Sequence, residues 1–172
     1  MKIIEALQNR LSSNNTILVQ NEDGFISEMG FVWESPAADT DIYAFEASNN
    51  IILPDSYKEF LKISNGALLF KDIRYGQWGC QILGLHELIE TTMQVRDWGN
   101  NLSPEWLVFA NWLGDCDILL FDYYKIKHGI PNYIIDGEQG MRAEDWENIK
   151  GDFGKWLDRL IMAQGAKYWR WY

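Results

Sequence analysis

The chain has 172 residues, 47% of them hydrophobic, which suits one domain with a substantial core and argues against a disordered chain. Twenty-five acidic residues against fifteen basic ones give a formal net charge of −10. Nucleic acid and anionic membrane surfaces both need a basic face, so the charge argues against either as a direct ligand; it suits a basic protein partner.

Ile3, Ile4, Leu7 and Leu11 recur at helical spacing and predict an amphipathic helix over residues 2–11. Ser12 to Asn15 should end it. A short strand over 16–20, a turn over 21–24 and one or two returning strands over 25–33 follow. Ser35-Pro36 breaks the chain, and Asp39 or Thr40 can cap a short helix running to residue 47.

Residues 51–66 read as a complete helix with punctuation at both ends. Pro54 suits the first helical position, where its missing N–H costs nothing. A later start, with Ser56 capping and Glu59 completing a capping box, is the alternative. Leu53, Tyr57, Phe60, Leu61 and Ser64 share one face, with Lys58, Glu59 and Lys62 toward the other. Asn65 and Gly66 tolerate the left-handed backbone that closes helices.

Beyond the helix, 68–70 and 73–75 read as strands flanking a turn at Lys71-Asp72, and 78–83 continues the pattern. Leu85, Leu88, Ile89 and Thr92 predict a helix over 85–97. A loop over 98–104 leads to a buried strand at 106–110, a turn over 111–115, a partner strand over 117–124 and another strand over 133–136. Asp152 is a good N-cap for a last helix facing inward through Phe153, Trp156, Leu157 and Leu160. Trp146 and Ile149 precede it in a segment of open conformation. The element order implies a single α+β domain.

The Leu-Pro-x-x-Tyr-x-x-Phe-Leu helix ending in Ser-Asn-Gly, carried here by Leu53, Pro54, Tyr57, Phe60, Leu61, Asn65 and Gly66, resembles the signature of the SUKH superfamily. Pro36-Ala37, Ile42 and Phe45-Glu46 upstream are similar to that family's preceding short helix. Segments 79–90, 106–122 and 152–160 follow in the family's order, so the resemblance spans roughly 33–160. It implies helices packed around a largely antiparallel sheet. It also implies a non-enzymatic binding protein of the immunity type, which blocks a cognate toxin, often a nuclease or deaminase. A regulatory adaptor resembling the fungal cell-wall-synthesis regulators of the same superfamily, or a small-ligand-binding protein, is the alternative.

No catalytic arrangement stands out. His86 sits early in a predicted helix and His128 in a polar turn, with no nucleophile motif beside either. Gly137 to Gly140 lacks the Lys and helix start of a phosphate loop. Gly114-Asp115-Cys116-Asp117, with Asp122 beyond, could attract a hard cation, but an unbroken strand puts Asp117 and Asp122 on opposite faces, and a hairpin turn is preferred. Neither a cofactor nor a metal is expected. Cys80 and Cys116 have no metal-ligand spacing and should be reduced and buried. The N-terminus lacks a signal peptide's apolar stretch, no window is long enough to span a membrane, and a cytoplasmic location is expected.

Two features suit a partner surface. The acidic stretch Asp136, Glu138, Glu144, Asp145, Glu147 and Asp152 is opposed only by Arg142 and Lys150. Aromatic side chains fall in expected turns: Tyr75, Trp78, Trp112 and the C-terminal Trp169 and Trp171. Asp115, Asp136, Glu138, Glu144 and Asp145 with Tyr75, Trp78 and Trp112 are the candidate partner-binding residues, on the ground that aromatic anchors inside an acidic rim suit a tight protein inhibitor. A solvated loop face and a tail folded back over the sheet are the structural alternatives.

Overall fold

Among the described residues, eight strands form one antiparallel sheet whose spatial order is the chain order. They are β1 Thr16–Gln20, β2 Ile26–Trp33, β3 Ala67–Asp72, β4 Gly79–Ile82, β5 Trp106–Leu113, β6 Ile118–Asp122, β7 Ile134–Gly137 and β8 Glu147–Ile149. Among the described residues six helices accompany them: α1 Lys2–Gln8, α2 Asp39–Asn49, α3 Asp55–Leu61, α4 Leu85–Asp97, α5 Tyr123–Lys127 and α6 Phe153–Met162. The structure, a computed structural model, describes residues 1–98 and 102–171. Part of the expected 98–104 loop, and Tyr172, lie outside the described residues. The architecture is α+β, and no described helix is long and apolar enough to cross a membrane.

β5 and β6 carry buried side chains on both faces, as central strands must when both sides are covered. On one face Tyr57 and Phe60 of α3 meet Phe153 and Trp156 of α6 over Phe109 and Phe121. Phe109 and Phe121 stack at 3.9 Å between ring centroids, and Tyr57 meets Phe121 and Phe153 edge-on at 5.1 and 5.0 Å. The Gly154 N–H at the start of α6 donates to Ser56 Oγ, which joins the two helices directly.

β4 stops at Ile82 and leaves the first half of β5 without a strand on that side. α4 takes its place. Thr92 Oγ1 accepts the Val108 N–H at 2.9 Å, and Arg96 donates to the carbonyls of Pro104 and Trp106. A bulge between Val108 and Ala110 accompanies this change of partner.

The signature helix forms with different ends from those expected. Pro54, with ψ at 139°, is the N-cap and not the first helical residue. The Ser56–Glu59 capping box does not form, because Ser56 Oγ serves α6. Leu53, Tyr57, Phe60, Leu61 and Ser64 are all buried, as the periodicity requires. Of Asn65-Gly66 only Gly66 takes positive φ, +111°. Asn65 instead reaches forward: its Oδ1 accepts the Leu85 N–H at 2.9 Å and so caps α4. Ser64 Oγ accepts the Glu34 N–H and donates to the Gly66 carbonyl, tying the end of β2 to the same corner.

Several expected boundaries move. α1 ends at Gln8, short of residue 11. The turn placed at Lys71-Asp72 lies after Asp72, because β3 continues through both residues to pair with β2. Asn111, Trp112 and Leu113 stay in β5, paired with β4, and the chain reverses only at Gly114. Gly114 has φ +104°, and a Cβ there would lie 2.3 Å from the Gln77 carbonyl oxygen. Tyr123 and Tyr124 belong to α5, which Asp122 caps by accepting the Lys125 N–H. β8 forms in the segment left open, with Ile149 buried. Cys80 is buried, but Cys116 is exposed in the β5–β6 turn, where no side chain covers it.

Both sheet edges are blunted. At β1, Thr16 bonds through its N–H and carbonyl to Ser12, and the Gln20 N–H donates to Gln164 Oε1. β8 is only three residues long.

Candidate partner-binding surface

After α6 the chain turns back across the sheet. Gly165, at φ +87°, lets it pass so close to Phe70 that a Cβ there would lie 2.6 Å from the ring. Trp169 then packs on Trp112 and Trp156, with ring centroids 5.5 and 6.4 Å apart. Of the two alternatives for the aromatic C-terminus, the fold-back is the one adopted by Trp169.

Ion pairs clasp this tail. Lys167 Nζ meets Asp115 at 2.5 Å and also Asp117, between the rings of Trp78 and Trp112. Arg170 forks onto both oxygens of Asp136 at 2.7 and 2.8 Å and reaches Asp117 at 2.8 Å. Asp117 Oδ1 also accepts the Gln139 N–H. Burial alone would raise the Asp117 carboxyl, but the Lys167 ammonium, the Gln139 N–H and Arg170 together hold it below the usual carboxylate range. Hydrogen bonds from Arg170 to Asp136 raise the guanidinium further above its already high value.

The clasp divides the eight candidate residues. Trp112, expected exposed in a turn, is 2% exposed within β5, and its ring is part of the core. Asp115 and Asp136 are paired internally, and Glu138 stands 3.9 Å from Arg170, so these carboxylates neutralise the tail. Trp78 is half-buried beside Lys167. Glu144 and Asp145 are exposed and share Arg142. Tyr75 projects freely from the β3–β4 turn, with the Arg74 guanidinium over its ring at 5.0 Å. Among the described residues, no three His, Cys, Asp or Glu side chains are placed to hold a metal ion.

Two grooves flank the tail, and Trp171 lines both. One, of about 670 Å³, lies toward β7 and β8 and includes Asp136, Glu138 and Asp145. The other, of about 1050 Å³, lies toward β1, β2 and the β3–β4 turn. Tyr75 and Trp78 meet there with Ile26, Ile73 and Met162, which the sequence reading did not single out. Strand alternation would have put one of Phe25 and Ile26 inside, so it gave no signal that both stay exposed.

A model of the SMI1/KNR4 family (SUKH-1) matches residues 36–159. The chain belongs to this family. It is also similar to two uncharacterized proteins of Bacillus subtilis (strain 168). YobM is 28% identical over 174 residues, covering 99% of this chain and 90% of its own length. YnaB is 30% identical over 139 residues, covering 81% and 86%. The SUKH-1 match runs from just before α2 into α6. It therefore includes the signature corner and the carboxylates of the clasp, but neither β1 and β2 nor the tail with Lys167 and Arg170.

Proposed function

We propose that this SUKH-1 protein is a non-enzymatic binding protein of the immunity type, which neutralises a cognate protein toxin by forming a stoichiometric complex. Family membership is the observation that carries the reading. The net charge of −10 supports it: toxins acting on nucleic acid, as nucleases and deaminases do, present basic substrate surfaces, and an acidic partner is drawn to them. Inhibition then needs only occlusion of that surface, with no cofactor and no turnover.

The test is to sequence the genes flanking this one and, where a neighbour encodes a large protein with a toxic C-terminal domain, to co-express that domain with this protein, scored by survival and by the mass of the purified complex. Rescue with a 1:1 complex supports the proposal. Undiminished killing by a toxin that does not bind the protein overturns it. Association should also slow as salt rises, since steering is screened over roughly 10 Å at 0.1 M ionic strength.

A further inference from the structure

The larger groove has the chemistry of a peptide-docking site. Its walls come from three places: the β1–β2 hairpin, the β3–β4 turn and the segment from the end of α6 to Trp171. Five large apolar side chains line it while remaining open to solvent. Ile26, Ile73, Tyr75, Met162 and Trp171 are between 48% and 76% exposed. Leu18 and Phe25, also exposed, lie on the same hairpin. Isolated exposed apolar side chains are ordinary; a group converging on one concavity marks a place where another surface sits.

The charges in the groove identify the occupant's chemistry. Glu28 and Asp72 are its carboxylates. Glu28 accepts the Thr16 hydroxyl, and Asp72 accepts the Arg74 N–H. Neither has a cation within salt-bridge distance among the described residues, whereas Asp115, Asp117 and Asp136 across the tail are all paired. Among the described residues, the one cation lining the groove, Arg74, lies over Tyr75. Unpaired carboxylates beside an apolar floor favour a cationic side chain adjacent to apolar ones.

We infer that this groove docks a protein segment in which Lys or Arg alternates with aromatic or aliphatic anchors. A second copy of the chain fits poorly, because it would bring a further ten net negative charges to the carboxylates already there. The walls at residues 20–29 and 162–171 lie outside the span matched by the family model, while the β3–β4 turn with Asp72 and Tyr75 lies within it. The inference deepens the immunity reading by naming the face and the complementary chemistry of the partner.

Selection of a phage-displayed random peptide library on the purified full-length protein tests the groove without needing the toxin. Enriched peptides should carry Lys or Arg within a residue or two of an aromatic or aliphatic side chain. A synthesised winner should lose about tenfold or more in affinity on Tyr75→Ser and on Glu28→Lys, as interface anchors do. Glu90→Lys, exposed on α4 and outside the groove, should leave its binding unchanged. Matched melting curves should establish that the variants are folded. Failure to enrich any peptide, enrichment of acidic ones, or winners indifferent to Tyr75→Ser and Glu28→Lys overturns the inference. A concentration-dependent dimer that Tyr75→Ser dissolves also overturns it, assigning the groove to self-association. Loss of toxin rescue with groove binding retained would instead reject the immunity reading alone.

Discussion

Asn65 and Gly84 meet at the corner where α3, β3 and α4 converge. Asn65 supplies the acceptor for the first N–H of α4, while Gly84 lies so close that a Cβ would stand 2.1 Å from the Asn65 carbonyl oxygen. Asn65→Ala should therefore cost about 1 kcal/mol, the usual loss for a helix cap. Gly84→Ala should cost more, about 3 kcal/mol, because backbone must move. Urea denaturation of both variants measures the difference; equal costs would mean the corner relaxes freely. Tyr57 belongs to the same region: its hydroxyl donates to the buried Leu83 carbonyl at 2.5 Å, and burial raises its pKa well above the ordinary value. Asp117 adds a pH dependence. Folding lowers its pKa, so its contribution to stability is complete above the unfolded carboxylate value of about 4 and fades as pH falls through the lower folded value. Asp117→Asn should lower the urea midpoint most at neutral pH, with the gap to wild type closing in acid. A gap that widens on acidification would contradict the assignment.

α4 substitutes for a strand, and this explains why a helix is inserted between β4 and β5. Its Thr92 is a buried polar residue with both roles filled, accepting from Val108 and donating to Leu88 at 2.6 Å. Thr92→Val keeps the shape and removes the acceptor, leaving the Val108 N–H orphaned at a cost of about 1–3 kcal/mol. Amide exchange at Val108 should accelerate more than at Phe121 in β6; uniform acceleration would indicate global destabilisation instead. The tail is the other element with a defined task. It covers Trp112 and Trp156 and supplies both cations of the clasp. Ending the chain after Ala166 should strand three carboxylates and expose the indoles. We expect a loss of about 3 kcal/mol or more, as for breaking a buried ion pair from one side. Lys167→Met, which keeps much of the stem against Trp78 and Trp112, should lose less than the truncation. Tryptophan fluorescence and melting temperature report both variants.

For the whole molecule, the eight-stranded sheet is a platform whose carboxylates divide into two sets. The acidic residues nearest its centre neutralise the tail, while Glu28 and Asp72 at the β1–β2 side remain unpaired beside exposed apolar groups. Long-range attraction and short-range anchoring are thus separable. Partner association should slow with salt even where Tyr75→Ser leaves the on-rate intact and speeds dissociation, because steering depends on the summed field and anchors act after contact. Stopped-flow mixing at two salt concentrations distinguishes the two effects. A Tyr75→Ser variant that slows association as strongly as high salt does would tell against this division.

Hydrophobic spacing and capping chemistry determined most of the elements: the helix over 85–97, the inward faces of α3 and α6, the Asp152 cap and the strands at 16–20 and 106–110 all follow from local rules. The signature likewise determined the family, since Leu53, Tyr57, Phe60 and Leu61 build the core that the family shares. Tertiary structure decided the rest, and the reason is partnership. A turn residue at Lys71-Asp72 or Asn111 looks like a turn only until a neighbouring strand offers hydrogen bonds that extend the ladder through it. An Asp at 115 or 136 looks like free negative charge until a tail 34 to 52 residues away brings Lys167 or Arg170 to it. Trp112 and Tyr75 carry equal local signals for exposure, yet one is covered by Trp169 and the other is not. No local pattern encodes which side chain a distant segment covers, so the surface available to a partner emerged only once the chain had folded back on itself.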